Sequence, residues 1–390
     1  MNLIDEIVAH HDEMTEIRRD LHRHPELAFE EHRTADAVAE RLTAWGIPIR
    51  RGLGGTGVVG TLKCGHGNRA IGLRADLDAL AMDELNTFEH ASRHPGRMHG
   101  CGHDGHTTML LGAARHLAEQ QGFNGTIHFI FQPAEEGAGG ADAMIRDGLF
   151  DEFPVDSVWG MHNFPTVPVG KFITRAGPFL ASSDTVRVRV NGVGGHGAMP
   201  HLARSPVNAA CAIIEALSDF VAQEINAQNA ATFTVGCIRG GDAINVIPDS
   251  VEFAGTVRSF SHSVRDQFAA GLDRIVNGIC AARGISAETV YEKNYPPLVN
   301  TDEETAIAAR AAARVVGAEN VDAGAGRIMG SEDFAFMLQK RPGNYIMIGN
   351  GEGEHGGCMV HNPHYDFNDD ILPIGATYWV ELARELLPPH

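Results

Sequence analysis

The stretch GTIHFIFQPAEEG, residues 125–137, is apolar through its first half and stops at Gln-Pro. A short apolar run bounded by Gly and Pro reads as a buried strand, and the polar residues after it read as a turn. Two adjacent carboxylates, Glu135 and Glu136, sit in that turn and should lie over the end of a sheet. The segments on either side extend the pattern. GVVGTLKCG (57–65) and RAIGLRADLDAL (69–80) read as strands with Gly-rich ends. A helix is expected from about Thr107 to Gln120, with Asp104 or Gly105 placed to cap it. ADAMIRDGLF (141–150) follows as a short helix and DSVWGMHNFP (156–165) as a strand closing in His and Pro. Residues 1 to about 40 read as helix, broken near RHPELAFEEHRTA (23–35). Alternating strands and helices predict an α/β domain with a mainly parallel sheet. In such sheets ligands sit beyond the carboxyl ends of the strands. Asp76, Asp78, Glu135, Glu136 and His162 all fall at ends of this kind.

The pattern changes after about Phe179. SSDTVRVRVNG (182–192) alternates charge and Val with period two, as a half-exposed strand does. A helical segment (205–223), two strands (231–241 and 250–260), a second helix (263–284) and a last strand (286–294) follow. The order is β-α-β-β-α-β, a ferredoxin-like arrangement of two helices on an antiparallel sheet. From residue 301 the α/β pattern resumes. The expected organisation is therefore a discontinuous catalytic domain, 1–178 and 293–390, with residues 179–292 inserted into it.

A chain of 390 residues is too long for one ordinary core, which agrees with two domains. Its net charge of −19 argues against nucleic acid as a partner, because phosphate binding needs a basic surface. An anionic substrate would then need a concentrated local cation. No apolar run reaches the roughly 18 residues that span a bilayer, and the first thirty residues have no signal-peptide pattern. Membrane association is not expected, and a cytoplasmic location is the simplest expectation. The six cysteines are scattered, with no CxxC pair, which suits buried small apolar residues in a reducing compartment.

MHGCGHDGHTTM (98–109) concentrates His99, Cys101, His103, Asp104 and His106 ahead of the helix. A thiolate and an imidazole two residues apart can aim at one point, and both suit zinc-like ions. The same Cys101 with histidines nearby could instead be a nucleophile. That reading leaves Glu135, Glu136, His162 and His361 without a role. Taken together, Cys101, His103, Glu136, His162 and His361 are five ligands, more than one catalytic zinc takes and enough for two ions sharing a bridge. One of the paired carboxylates could then bind metal while the other accepts a proton from water. GVGGHGAMPH (192–201) leaves His196 accessible in a Gly-rich loop, and Asn245 and Arg258 lie on or near the following strands of the insert. MGSEDFAFM (329–337) reads as the N-terminal cap of a helix at Glu332 and Asp333.

With these residues assembled, the chain resembles the co-catalytic metal amidohydrolases of the aminoacylase and carboxypeptidase superfamily, in the branch that holds hippurate hydrolase and the plant auxin–amino acid conjugate hydrolases. RRDLHRHPELAFEE, LRADLDAL, PGRMHGCGHDGHTTMLLGAA, FQPAEEGAGGA, GMHNFP, GGHGAMPHLARSPVNAA, NVIPD, GSEDFAFM and HNPHYDFND carry the likeness in order along nearly the whole chain. The resemblance implies two divalent ions, Zn, Mn, Co or Ni, held by Cys101, His103, Glu136, His162 and His361. It implies Glu135 as general base and Asp76 as support behind the ligands. Arg74 stands where other branches carry a metal-binding histidine. The insert would be a lid and dimerisation domain, making a homodimer or a dimer-based tetramer. Its His196 would reach the partner's site, helped by Asn245, and Arg258 would receive a substrate carboxylate. The implied reaction is hydrolysis of N-acyl amino acids. A deacetylase, a short-peptide carboxypeptidase, an aminobenzoyl-glutamate hydrolase, or a non-catalytic metal- or peptide-binding protein are the alternatives.

Overall fold

The computed structural model describes residues 1–353 and 356–389. The chain divides into two units, the first made of 1–177, 299–326 and 333–390 and the second of 178–298 and 327–332. Among the described residues, the first unit builds one eight-stranded sheet in the order Ile49–Leu53, Gly57–Cys64, Gly125–Gln132, Ala70–Asp76, Ser157–Pro165, Gly343–Gly351, Phe172–Ile173, Val321–Asp322. The four strands from Gly125–Gln132 to Gly343–Gly351 run parallel. Antiparallel pairing is confined to the flanks. The mainly parallel α/β fold expected from the alternating pattern is thus the one observed. Gly125–Gln132 is covered on both faces: Ile127, Phe129 and Phe131 on one face and Ile130 on the other are at most 1% exposed, and the polar His128 and Gln132 of that second face are buried too.

The helix at the front of the site, His103–Gln120, starts a turn earlier than the sequence suggests. Its N-cap is Gly102, and neither Asp104 nor Gly105 caps it. Asp104 lies in the first turn, where its carboxylate meets the positive end of the helix dipole. It also accepts a hydrogen bond from His22 Nδ1 at 2.8 Å. The helix buries Met109, Leu110, Ala113, Ala114 and Leu117, and Gly375 of the helix Leu372–Leu386 packs close against Met109.

In the second unit, the strands Ala231–Arg239, Ser250–Ser259, Ser183–Asn191 and Ser286–Tyr295 lie side by side in that order, all antiparallel. Helices Pro206–Gln223 and His262–Arg283 complete the β-α-β-β-α-β order. The period-two reading holds: Val186, Val188 and Val190 are buried with Ile213, Leu217 and Phe268, while Arg187 and Arg189 are exposed. The segment Arg327–Glu332 joins this unit, although the sequence pattern assigns it to the other domain. No helix among the described residues is long and apolar enough to cross a membrane.

Candidate metal centre

The loop that carries Cys101 and His103 is shaped by the glycine between them. Gly102 has φ +99°, and a Cβ there would lie 2.3 Å from Asn163 Oδ1 and 2.5 Å from Tyr365 Oη. Only glycine accepts both the conformation and the space. Cys101 Sγ comes within 3.3 Å of His162 Nε2. Burial pushes the Cys101 thiol well above its ordinary range, and the carboxylates of Glu136, Glu135 and Asp76 push it the same way. A nucleophilic cysteine needs the opposite environment, one that lowers its pKa. A bound cation would instead deprotonate the thiol outright.

Both imidazoles are held in one tautomer. His162 donates from Nδ1 to the Asn163 carbonyl at 2.5 Å, which leaves the Nε2 lone pair facing Cys101. His103 Nδ1 lies 3.2 Å from Asp78 Oδ1, which leaves its Nε2 pointing away. Such a bond from the far nitrogen of a histidine is the usual support for a metal ligand. His162 stands inside the strand Ser157–Pro165, beyond the point where Ala70–Asp76 stops pairing with it, at Arg74↔Gly160.

The carboxylate turn hangs from three supports. Ala134 has φ +55°, a strained conformation for a non-glycine residue, and its N–H donates to Glu31 Oε1 at 2.8 Å. Glu31 is itself fully buried, and burial raises its pKa. Glu136 N donates to Asp78 Oδ2 at 2.8 Å, and Asp333 N approaches Glu135 Oε1 at 3.4 Å. Glu136 Oε1 then lies 3.9 Å from His103 Nε2 and 3.4 Å from His361 Nε2. His361 also has positive φ, +64°, and its N–H donates to Gly100 O at 2.7 Å, tying the C-terminal loop to the Cys101 loop.

These residues form overlapping groups whose ligand atoms lie within 4.8 Å of one another: Cys101, His103 and His162; Cys101, Glu136 and His361; His103, Glu135 and Glu136. Cys101 is common to the first two, as a ligand shared between two ions would be. His103 Nε2 and Glu136 Oε1 are buried with no hydrogen-bond partner among the described residues. A buried polar atom left unpaired costs roughly 1–3 kcal/mol, and a cation would satisfy both. The donor set of thiolate, imidazole and carboxylate fits borderline divalent ions.

Asp76 belongs to a buried chain beneath these candidate ligands. It accepts from Arg74 Nη1 at 2.6 Å and from His106 Nδ1 at 2.7 Å, while His103 Nε2 is 3.8 Å away. Burial opposes its ionisation, but the charges of His103, His106 and Arg74 outweigh that and hold its pKa well below the carboxylate range. Asp76, His103 and His106 also lie close enough to hold an ion. The other nitrogen of His106 is engaged by Asn163, however. Arg74 reaches Asp333 at 3.0 Å, and Asp333 also accepts from Gln132 Nε2 and Ala141 N. Asp333 is therefore not a helix cap: the short helix Ala335–Leu338 begins after Phe334, and its carboxylate closes a buried network instead. Sequence reasoning missed this network, and it missed the contacts of Asp78. The double aspartate of RADLDAL was the available signal.

His196, Asn245 and Arg258 lie in the second unit. Gly195–His196 pairs with Val246–Ile247, and Gly197 N donates to Asn245 O at 2.7 Å, so His196 and Asn245 share one exposed hairpin-like platform. Arg258 is half-buried on the strand Ser250–Ser259, and its Nη1 has no hydrogen-bond partner among the described residues.

Residues 72–385 match the model of peptidase family M20/M25/M40. Hippurate hydrolase of Campylobacter jejuni is 40% identical over 387 residues, 99% of this chain and 100% of that protein. IAA-amino acid hydrolase ILR1-like 4 of Arabidopsis thaliana is 36% identical over 96% of this chain and 86% of its own length. Among solved structures, the Bacillus subtilis YXEP protein, described as a dinuclear metal binding peptidase, superposes with a TM-score of 0.84 at 33% identity, covering 97% of this chain and 99% of that one. A family match over most of the chain, joined to relatives above 30% identity along nearly all of it, makes this chain a hydrolase of peptidase family M20/M25/M40.

Proposed function

We propose that the chain hydrolyses the amide bond of N-acyl amino acids, hippurate-like substrates among them. Two divalent ions of the Zn, Mn, Co or Ni type are held by Cys101, His103, Glu136, His162 and His361. The observation that carries this reading is Glu135, a carboxylate only 7% exposed, beside a cluster whose imidazoles are preset and two of whose ligand atoms are unpaired. The names of the Campylobacter and Arabidopsis relatives and the dinuclear description of the Bacillus structure support the substrate class and the ion count.

When bound, such ions polarise a carbonyl and lower the pKa of water to about 7. Glu135 accepts the proton of the attacking water and returns it to the leaving amine, a role typically worth 10²–10⁴-fold in rate. His196 donates to the developing oxyanion, with Asn245 beside it; one such donor is typically worth about 3 kcal/mol. Arg258 receives the substrate carboxylate with its unpaired Nη1. Burial lowers the Arg258 pKa, so an anion there replaces hydration that the fold has already removed. The second unit acts as a lid and as the dimer contact. The products are a carboxylate and a free amino acid.

A panel of benzoyl-, acetyl- and indoleacetyl-amino acids, run with metal-reconstituted enzyme, tests the class and separates it from a deacetylase or a carboxypeptidase. Capping the substrate carboxylate as an amide is expected to reduce kcat/KM sharply. Equal values for the acid and its amide remove Arg258 from this role.

A further inference from the structure

Asp78 is buried, 1% exposed, two residues past the end of the strand Ala70–Asp76. Its two oxygens go to two different elements. Oδ1 lies 3.2 Å from His103 Nδ1, and Oδ2 accepts from the backbone N–H of Glu136 at 2.8 Å. The far side of each partner is an unpaired buried atom, His103 Nε2 and Glu136 Oε1, and these two face each other 3.9 Å apart. Asp76 does not share the task. Its oxygens are taken by Arg74 and His106, and it lies 3.8 Å from the opposite nitrogen of His103.

We infer that Asp78 is a positioning residue that sets two metal ligands at once: it fixes the His103 ring and its tautomer through one oxygen and anchors the Glu135–Glu136 turn through the other. This rests on the metal reading above. A carboxylate suits the task because both of its oxygens accept, and both partners are donors. An asparagine of the same shape cannot serve both. With its oxygen toward Glu136 N–H, its NH₂ faces His103 Nδ1, which must then accept, moving the ring proton to Nε2 and removing the ligating lone pair. With the amide turned over, NH₂ meets N–H and the turn loses its anchor. The geometry thus links the loop after one strand, the N-terminus of the helix His103–Gln120 and the turn after a second strand through a single side chain.

The test is calorimetric titration of the full-length apoprotein with Zn²⁺. Asp78→Asn is expected to bind at least one ion 10–100-fold more weakly than wild type, the usual loss when the support behind a histidine ligand is removed. Circular dichroism and thermal unfolding of the apoprotein check the fold. If Asp78→Asn does not fold, Asp78→Glu, which keeps both acceptors but shifts them by one methylene, is titrated with the same expectation. A double-mutant cycle with His103→Ala supplies a readout that a general structural role would not move: the Asp78→Asn loss at the His103 ion should largely vanish in the His103→Ala background. Wild-type affinity for every ion in a folded Asp78 variant, or losses that simply add in the cycle, overturns the inference. Failure of the wild-type protein itself to bind Zn²⁺ overturns the metal reading instead.

Discussion

Gly102→Ala is the sharpest structural test of how the ligand loop is held. The substitution adds one methyl at φ +99°, 2.3 Å from Asn163 Oδ1 and 2.5 Å from Tyr365 Oη. Holding a non-glycine residue in a left-handed conformation costs roughly 1–2 kcal/mol. Asn163 and Tyr365 must also separate from the new atom, which breaks the 2.6 Å bond from Asn163 Nδ2 to Tyr365 Oη. A buried polar group left unpaired adds roughly 1–3 kcal/mol. Neither neighbour is a flexible tip, because Asn163 also contacts His106 and its carbonyl accepts from His162. The sum is about 3 kcal/mol, which at roughly 2–4 °C per kcal/mol for a domain of 150–250 residues lowers the unfolding midpoint by roughly 6–12 °C. The first unit is larger, so the lower end is expected. Because Asn163 orients His162, and Gly102 sets the angle between Cys101 and His103, Zn²⁺ affinity should fall with stability. Differential scanning calorimetry of the apoprotein and zinc titration measure both. A Gly102→Ala protein with an unchanged midpoint and unchanged zinc affinity would falsify the claim that this close approach shapes the site.

Glu135→Gln should keep the metal content of wild type and lose 10²–10⁴-fold in kcat, because the amide retains the shape but accepts no proton; a defect confined to KM makes Glu135 a binding group. His128 is 6% exposed, with Nδ1 2.9 Å from Thr61 Oγ1, and burial lowers its pKa to about 4. The depressed value means that the folded state holds the neutral ring. Its contribution is complete above the unfolded pKa of 6.5 and is lost as the pH falls from there toward 4, about 3 kcal/mol in all. Wild type should therefore lose stability relative to His128→Gln as the pH drops through this window, and a difference between the two denaturation profiles that stays constant with pH refutes the assignment. Mixed dimers of His196→Ala and Glu135→Gln chains should regain activity, up to about half of wild type per dimer, if His196 serves the partner's site, since one of the two sites is then intact. Demonstrated subunit exchange without recovery confines His196 to its own chain.

Much of this protein was legible in its sequence, for physical reasons that differ from element to element. The run IHFIF at 127–131, bounded by Gly and Pro, read as a buried strand from local sequence, and the mainly parallel sheet followed from the alternation of strands and helices along the chain. Period-two alternation in SDTVRVRVN placed Val186, Val188 and Val190 inward with no tertiary information. The candidate ligands were visible because thiol, imidazole and carboxylate are chemically distinctive, and the order of the motifs identified the family. Local sequence did not reveal where long-range partners sit. Asp104 and Asp333 have the composition of helix caps, yet both are taken by partners remote in sequence: Asp104 by His22, and Asp333 by Arg74 and Gln132. Which of two aspartates in RADLDAL supports His103 depended on ring direction and on how the turn at Glu136 packs, and that settled on Asp78. Propensity and periodicity report what a residue offers its neighbours along the chain. The His162 tautomer is set by its neighbour Asn163, but the bonds from His103 to Asp78 and from Arg74 to Asp333 join groups 25 and 259 positions apart and are chosen only when the sheet order brings them together.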